Sequence, residues 1–353
     1  MKEKSERLEQ QVIASRKEIR TDRMDMSFGE IMNMYDENEI IISPEFQRAF
    51  RWDNGMQTRF IESLLLGIPI PPIFVAETGE NIWELVDGLQ RLSTILSFFG
   101  KLKDSKKNNL VLTDASILTE LEGFTIDTIP MNFKLLLKRA VCRVEVIRFD
   151  SEFDMRYELF NRLNTGGERL SEQEIRNCIF RTYDNTFNQF IQEMSKKKYF
   201  TDIITLREED KEKMLAQELV LRFFTLKNYG TMFEKNIQRH MDKYMLEVSK
   251  GTIGFDYKNE EEIFKNTCEI INKLHENVFK LSRLNFSTSM YDALMINIAL
   301  NLNVCEAYTS DELLRRIDDL KKDTEFRKNT NAASSSKYRI SSKIDIAHKF
   351  LIE

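Results

Sequence analysis

Apolar residues fall into two regimes along this chain. Up to Phe149 they come in short runs broken by turn residues, and from about residue 185 they recur every three or four positions. In the first regime Phe60, Ile61, Leu64 and Leu65 share one face of an amphipathic helix over 56–66. GIPIPPIFVAE (67–77) cannot be helical through its prolines, so IFVAE is expected as a strand leaving a turn. IISPEF (41–46) reads as a strand running into a turn, and IWELV (82–86) as another short strand. LQRLSTILSFFG is a helix that stops at Gly100. DSKKNN is a loop, and the rest of 101–135 is expected to be a helical insertion. AVCRVEVIRF (140–149) is the richest β-branched run and hence a strand. A helix at about 152–163, the loop NTGG and a further helix follow, the last opened by the capping box of Ser171 and Glu174.

The second regime contains no convincing strand. Its periodicity through 211–229, 232–248, 260–281, 289–304 and 310–320 predicts a helical bundle. The expected fold is therefore α+β, a small mixed sheet with helices followed by an all-helical domain. The boundaries are a solvated, helix-prone arm at 1–26, a mixed domain at 27–184 and a helical domain at 185–353. Only 12 glycines and 5 prolines interrupt the 353 residues, which favours long helices.

Composition narrows the partners. The first twenty residues alternate charge signs and lack the apolar core of a signal peptide, and no apolar run approaches a bilayer's thickness, so a soluble, cytoplasmic protein with no membrane partner is expected. Cys142, Cys178, Cys268 and Cys305 are too scattered for a metal finger or a disulfide framework and read as buried thiols. A net charge of −5 excludes a whole-molecule basic field for nucleic acid. Residues 315–349 nevertheless carry ten Lys or Arg against five Asp or Glu. Lys337, Arg339 and Lys343 in that stretch are candidates for weak, salt-sensitive DNA contact. The alternative is a flexible loop at SSSKYRISSK before a final helix.

The best place for chemistry is WELVDGLQRLSTI (83–95), where a strand ends in Asp87-Gly88 and a helix starts at once. A helix N-terminus offers unpaired N–H groups and the positive end of its dipole to phosphate. Gly88 permits close backbone approach, Arg91 supplies a forked contact, Gln90 positions a water or a phosphate oxygen, and Asp87 holds a metal or orients a neighbour. The plainer alternative is that Asp87 simply caps the helix and Arg91 is exposed. Two other segments bear on the choice. PEFQRAFRW (44–52) sets Arg48 and Arg51 beside aromatics, and FNRLNTGGERLSEQEIRN (160–177) carries a glycine-rich loop able to present amides to an anion, or merely to connect two helices.

QRxFxW, ESLLLGIPIPPI, LVDGLQRLSTI and FNRLNTGGERLSEQEIRN occur in the order seen in the GmrSD restriction enzyme N-terminal domain family. Residues 27–180 resemble that family closely, and the helical remainder does so loosely. The family's DGQQR domain is similar to ParB and sulfiredoxin, so the resemblance implies a ParB/sulfiredoxin-like fold. It also implies binding of an NTP (ATP or GTP, with Mg2+) in prokaryotic defence against phage or modified DNA. Carried over residue by residue, it implies a catalytic set of Asp87, Gln90 and Arg91. The nucleotide-binding set is Arg48, Trp52, Gly88, Ser93, Thr94, Asn164, Thr165, Gly166 and Gly167, with no protein metal ligand. Arg48 and the 164–167 loop are expected to join Asp87, Gln90 and Arg91 in one pocket. Arg91 is expected to face that pocket, so its removal should weaken binding and spare folding. Leu89 stands where the signature has its first Gln, a departure that bears on catalysis more than on binding.

Fused relatives carry an HNH nuclease, which needs paired histidines. His240, His275 and His348 are isolated and read as surface or packing residues, so a separate nuclease or other effector protein is implied. Three functions stand open: a nucleotide hydrolase that regulates an effector, a nucleotide- or DNA-sensing module without turnover, and a nuclease with Asp87, Glu84 and Glu145 around a metal. Phosphate release with and without DNA separates the first two.

Overall fold

A computed structural model describes residues 2–18, 20–42, 52–78, 81–148, 162, 171–181, 185–230, 236–274, 278–281, 286–330 and 336–353. The chain divides into two compact units, Met1–Arg169 and Leu170–Glu353.

The first unit begins with helix α1 (Lys2–Glu18), exposed over residues 4–13, and continues through β1 (Thr21–Ser27), α2 (Phe28–Asp36), β2 (Ile40–Ile41) and α3 (Asn54–Leu65). After the proline turn come β3 (Ile73–Glu77), β4 (Trp83–Asp87) and α4 (Leu89–Phe98), then α5 (Met131–Arg139) and β5 (Val141–Ile147). The five strands form one mixed sheet in the order β1-β5-β3-β4-β2. β1 pairs antiparallel with β5, β5 parallel with β3, β3 antiparallel with β4, and β4 parallel with β2.

The expected strands at 73–77, 82–86 and 140–149 are all present within a residue or two. The strand expected at 41–46 is the short β2, and its continuation through Ser43–Phe46 lies outside the described residues. The end of the expected arm, 21–26, is instead the edge strand β1. Its alternating charges are matched across the sheet edge, with Arg143 on Asp25, Arg23 on Glu145, and Arg148 on Asp22. Opposite charges directly across a strand pair stabilise the pairing.

The expected helical insertion at 101–135 is a correction. Apart from 3-10 turns at Ser105–Lys107 and Thr119–Leu121, it is irregular until α5. The reason is visible in α3. Glu62 is buried, and its carboxylate accepts from the backbone N–H of Ile117 at 2.7 Å and Leu118 at 2.6 Å, and from the Ser116 hydroxyl at 2.9 Å. Thr58 Oγ1 accepts from the N–H of Thr113 at 2.9 Å. These N–H groups are satisfied by side chains of another helix and need no helix of their own.

Burial acts to raise the Glu62 pKa, but the bonds from Leu118, Ile117 and Ser116 outweigh it and hold the carboxyl below its usual range. Ionisation therefore stabilises the folded state fully above the unfolded pKa of about 4.3, and the contribution fades as pH falls through the lower folded value. Glu62→Gln is expected to lose about 1.5–3 kcal/mol at neutral pH, the scale of hydrogen bonds to a charged group. Denaturant melts along a pH series should show that difference narrowing in acid.

The second unit is helical throughout its described residues. Its longer helices are α6 (Glu172–Arg181), α7 (Thr186–Met194), α8 (Leu215–Asn228), α9 (Ile237–Ser249), α10 (Tyr257–Asn272), α11 (Thr288–Leu300), α12 (Ser310–Lys322) and α13 (Lys337–Leu351). Only two isolated bridges, Asn236 with Ser336 and Lys280 with Phe286, occur there among the described residues. The small mixed sheet followed by helices is thus as the hydrophobic pattern predicts. α6 joins this unit because the fully buried Arg176 bonds Asp242 at 2.7 Å and Asn177 bonds Gln217 at 2.7 Å, tying it to α9 and the α8 region. All four cysteines are buried free thiols, as expected. SSSKYRISSK is no loop from Lys337 onward, where α13 begins.

Candidate functional site

The DGLQR segment forms the junction between β4 and α4. Gly88 sits there with φ +97°, and a Cβ in its place would lie 2.5 Å from Ile73 Cγ2 of β3. Both facts demand glycine. The close approach that this residue permits is therefore made by β3.

No side chain caps α4. Asp87 does not act as the cap; its Oδ2 accepts from Arg91 Nη2 at 2.8 Å. Arg91 Nη1 donates to the carbonyl of Pro71 at 2.5 Å. The Arg91 side chain is 13% exposed and that of Asp87 39%. Arg91 thus braces the proline turn against the helix start, and neither half of the plain capping alternative holds. Arg91 is held by two protein partners, the carbonyl of the exposed Pro71 and the Asp87 carboxylate, which bears on the expectation that its removal spares folding.

Gln90 is engaged as well. Its Oε1 accepts from the N–H of Trp52 at 3.1 Å, while Gln57 Nε2 donates to the Trp52 carbonyl at 2.7 Å. The Trp52 ring packs on Phe60 with centroids 5.8 Å apart. Trp52 is thereby fixed beside the start of α4. It also lines a cavity of about 380 Å³ with Asn54, Gln57, Lys106, Lys107 and Asn109, and no carboxylate is among the lining residues. Gln57 Oε1 is buried without a hydrogen-bond partner among the described residues. Gln57 was missed in the sequence, yet it had a signal. It falls three and four positions before Phe60 and Ile61, on the buried stripe of α3.

Other expected site residues fare differently. Ser93 and Thr94 are buried, and the Thr94 hydroxyl donates to the Gln90 carbonyl at 2.7 Å, so both are withdrawn as nucleotide contacts. Leu89 is buried too, so the departure from the signature packs into the core. Arg48, Asn164, Thr165, Gly166 and Gly167 lie outside the described residues, and with them the question of one composite pocket. The capping box beyond that loop is present, with Ser171 N–H on Glu174 at 2.7 Å and Glu174 N–H on Ser171 Oγ at 3.2 Å.

Lys343 is corrected as a DNA contact. It lies on the buried stripe of α13 with Ile340, Ala347 and Leu351, and its Nζ donates to Ser289 Oγ at 2.8 Å. Burial pushes its pKa down to about 8. Lys337 and Arg339 are half-buried on the same helix.

His240 stacks on Tyr229 at 4.8 Å and contacts the Gly230 carbonyl, and His348 pairs with Asn297. These are packing histidines; His275 lies outside the described residues. Glu145 is paired with Arg23 and Glu84 is buried. Among the described residues no three His, Cys, Asp or Glu gather to hold a metal. No described helix is long and apolar enough to cross a membrane.

Sheet and site together define an α+β module built around an uncapped helix start. Residues 28–181 match the family described as the GmrSD restriction endonuclease N-terminal domain. Curated proteins give no match. A solved structure described as "Structure of the C2221 form of Pnob8-like ParB-N domain" aligns over 94% of this chain and 98% of its own, with 14% identity and a TM-score of 0.25. That score is below what a shared fold gives, and the α+β description stands on the sheet and helices themselves.

Proposed function

We propose that residues 28–181 bind a nucleoside triphosphate, ATP or GTP, with its phosphates at the start of α4, and hydrolyse it as part of a prokaryotic restriction-type defence system. The observation that carries this reading is the uncapped N-terminus of α4 within the family motif. Its first-turn amides and dipole suit a phosphate. Asp87 and Arg91 hold that end in place, and Gln90 fixes Trp52 next to it. The carboxylate-free cavity beside Trp52 suits the polar edge of a base. Mg2+ would arrive on the phosphates, its usual mode, with few protein ligands.

These 353 residues carry no paired-histidine nuclease motif, so DNA cleavage in such a system would fall to an effector beyond them. Direct DNA contact is expected to be weak, through local patches that include Lys337 and Arg339, given the net charge of −5. The buried Leu89 favours a second reading, a sensing module that binds nucleotide without turnover.

Phosphate release from ATP and GTP, measured with and without DNA beside equilibrium binding of the same nucleotides, tests both. Turnover above the blank establishes the hydrolase. Saturable binding without turnover establishes the sensor. Absence of both removes the nucleotide reading.

A further inference from the structure

Helix α5 presents its apolar residues the wrong way round for a core element. Of Met131, Phe133, Leu135, Leu136 and Leu137, only Leu137 is buried, and Met131 is 67% exposed. Leu66 and Ile68 of the proline turn are exposed as well, as is Val141, at 59%. These are not scattered. Leu66, Ile68, Leu135, Leu136 and Val141 line one groove of about 790 Å³, which Arg139 also lines. Monomeric proteins rarely leave a contiguous apolar surface of this kind without a partner for it.

The charge of the groove also decides what fits. Arg139 is exposed and makes no hydrogen bond or ion pair among the described residues, and no acidic residue lines the groove. A carboxylate is the missing counterpart. Strand addition is not on offer, because β5 is already flanked by β1 and β3, with Val141 in register with Ser27. What the groove offers is side-chain sockets, and a concave apolar trough takes the stripe of an amphipathic helix. One wall is pre-set: Pro69 and Pro71 stiffen the turn, and Arg91 anchors the Pro71 carbonyl from behind. A preformed wall lowers the ordering entropy of binding.

We propose that the groove between α5 and the GIPIPP turn is a docking site for an amphipathic helix of a partner protein, with a carboxylate of that helix on Arg139. This proposal does not depend on nucleotide binding.

The test uses the full chain and two labelled model helices of about 18 residues, with leucines at i, i+3, i+4 and i+7 spacing and flanking positions either Glu or Lys. Fluorescence anisotropy should show the Glu helix binding about tenfold tighter than the Lys helix, the scale of one good interfacial charge pair. Arg139→Glu should invert that preference, and Leu136→Ser should weaken both helices by about fivefold or more. Both residues are exposed, so melting curves should be unchanged, which separates docking from folding. Several results overturn the proposal: equal affinity for the two helices, no binding, or indifference to Leu136→Ser. So do a concentration-dependent dimer that Leu136→Ser dissolves, which makes a second copy the occupant, and binding only to anionic phosphatidylglycerol vesicles, which makes it a lipid surface.

Discussion

Asp292→Ala is expected to destabilise the helical unit by about 3–5 kcal/mol, the loss seen when one partner of a buried ion pair is removed. Asp292 on α11 and Arg222 on α8 form a two-pronged pair at 2.5 and 2.6 Å, and both are buried. Lys343 lies close enough for its charge to be felt by the same group, and burial already works against its protonated form. Removing Asp292 would leave two buried cations with their shared carboxylate gone. For a unit of this size the melting temperature should fall by about 6–20 °C. Lys343→Met is the contrasting variant. It keeps the Arg222 pair and replaces a desolvated ammonium with an apolar chain of similar length, so stability should stay within about 1 kcal/mol or rise. Thermal melts followed by circular dichroism decide; equal losses from the two variants would contradict this account.

Gly88→Ala should cost the sheet unit about 2–5 kcal/mol. One part is the left-handed backbone at φ +97°, about 1–2 kcal/mol for any residue with a Cβ. The other is the 2.5 Å clash with Ile73 Cγ2, which forces β3 and α4 apart and adds about 1–3 kcal/mol of overpacking. Gly100→Ala separates the two, because Gly100 also has a positive φ of +69° but nothing within 4 Å of its virtual Cβ. Its loss should be confined to the backbone part. Since the clash acts at the first residue before α4, Gly88→Ala should also displace the helix start and weaken any nucleotide held there. Denaturant titration of both variants reads the two parts directly.

What could be read in the sequence was what local pattern decides. β3, β4 and β5 showed themselves through prolines and β-branched runs, and α6 through its capping box. β1 did not, because TDRMDMS looks solvated until its charges meet Arg143, Glu145 and Arg148, more than a hundred residues away. The irregular course of 101–130 was equally hidden, for its organiser is Glu62 on α3. In the site, the position of Gly88 before a helix was legible, but the occupation of Arg91 by Pro71 and Asp87 was not. A polar residue on an otherwise apolar stripe proved the better clue. Gln57 on α3 and Lys343 on α13 both sit on such stripes, and both are buried polar groups rather than surface contacts.

The central claim is that a triphosphate sits on the amides at the start of α4. It is tested most directly by amide chemical shifts of the 15N-labelled full chain, titrated with non-hydrolysable ATP and GTP analogues in Mg2+. The account predicts saturable shifts at the N–H groups of Gly88, Leu89 and Gln90, together with the Trp52 indole, at one common affinity. Saturable shifts elsewhere that leave these four signals in place, or no saturation with either analogue, would contradict it.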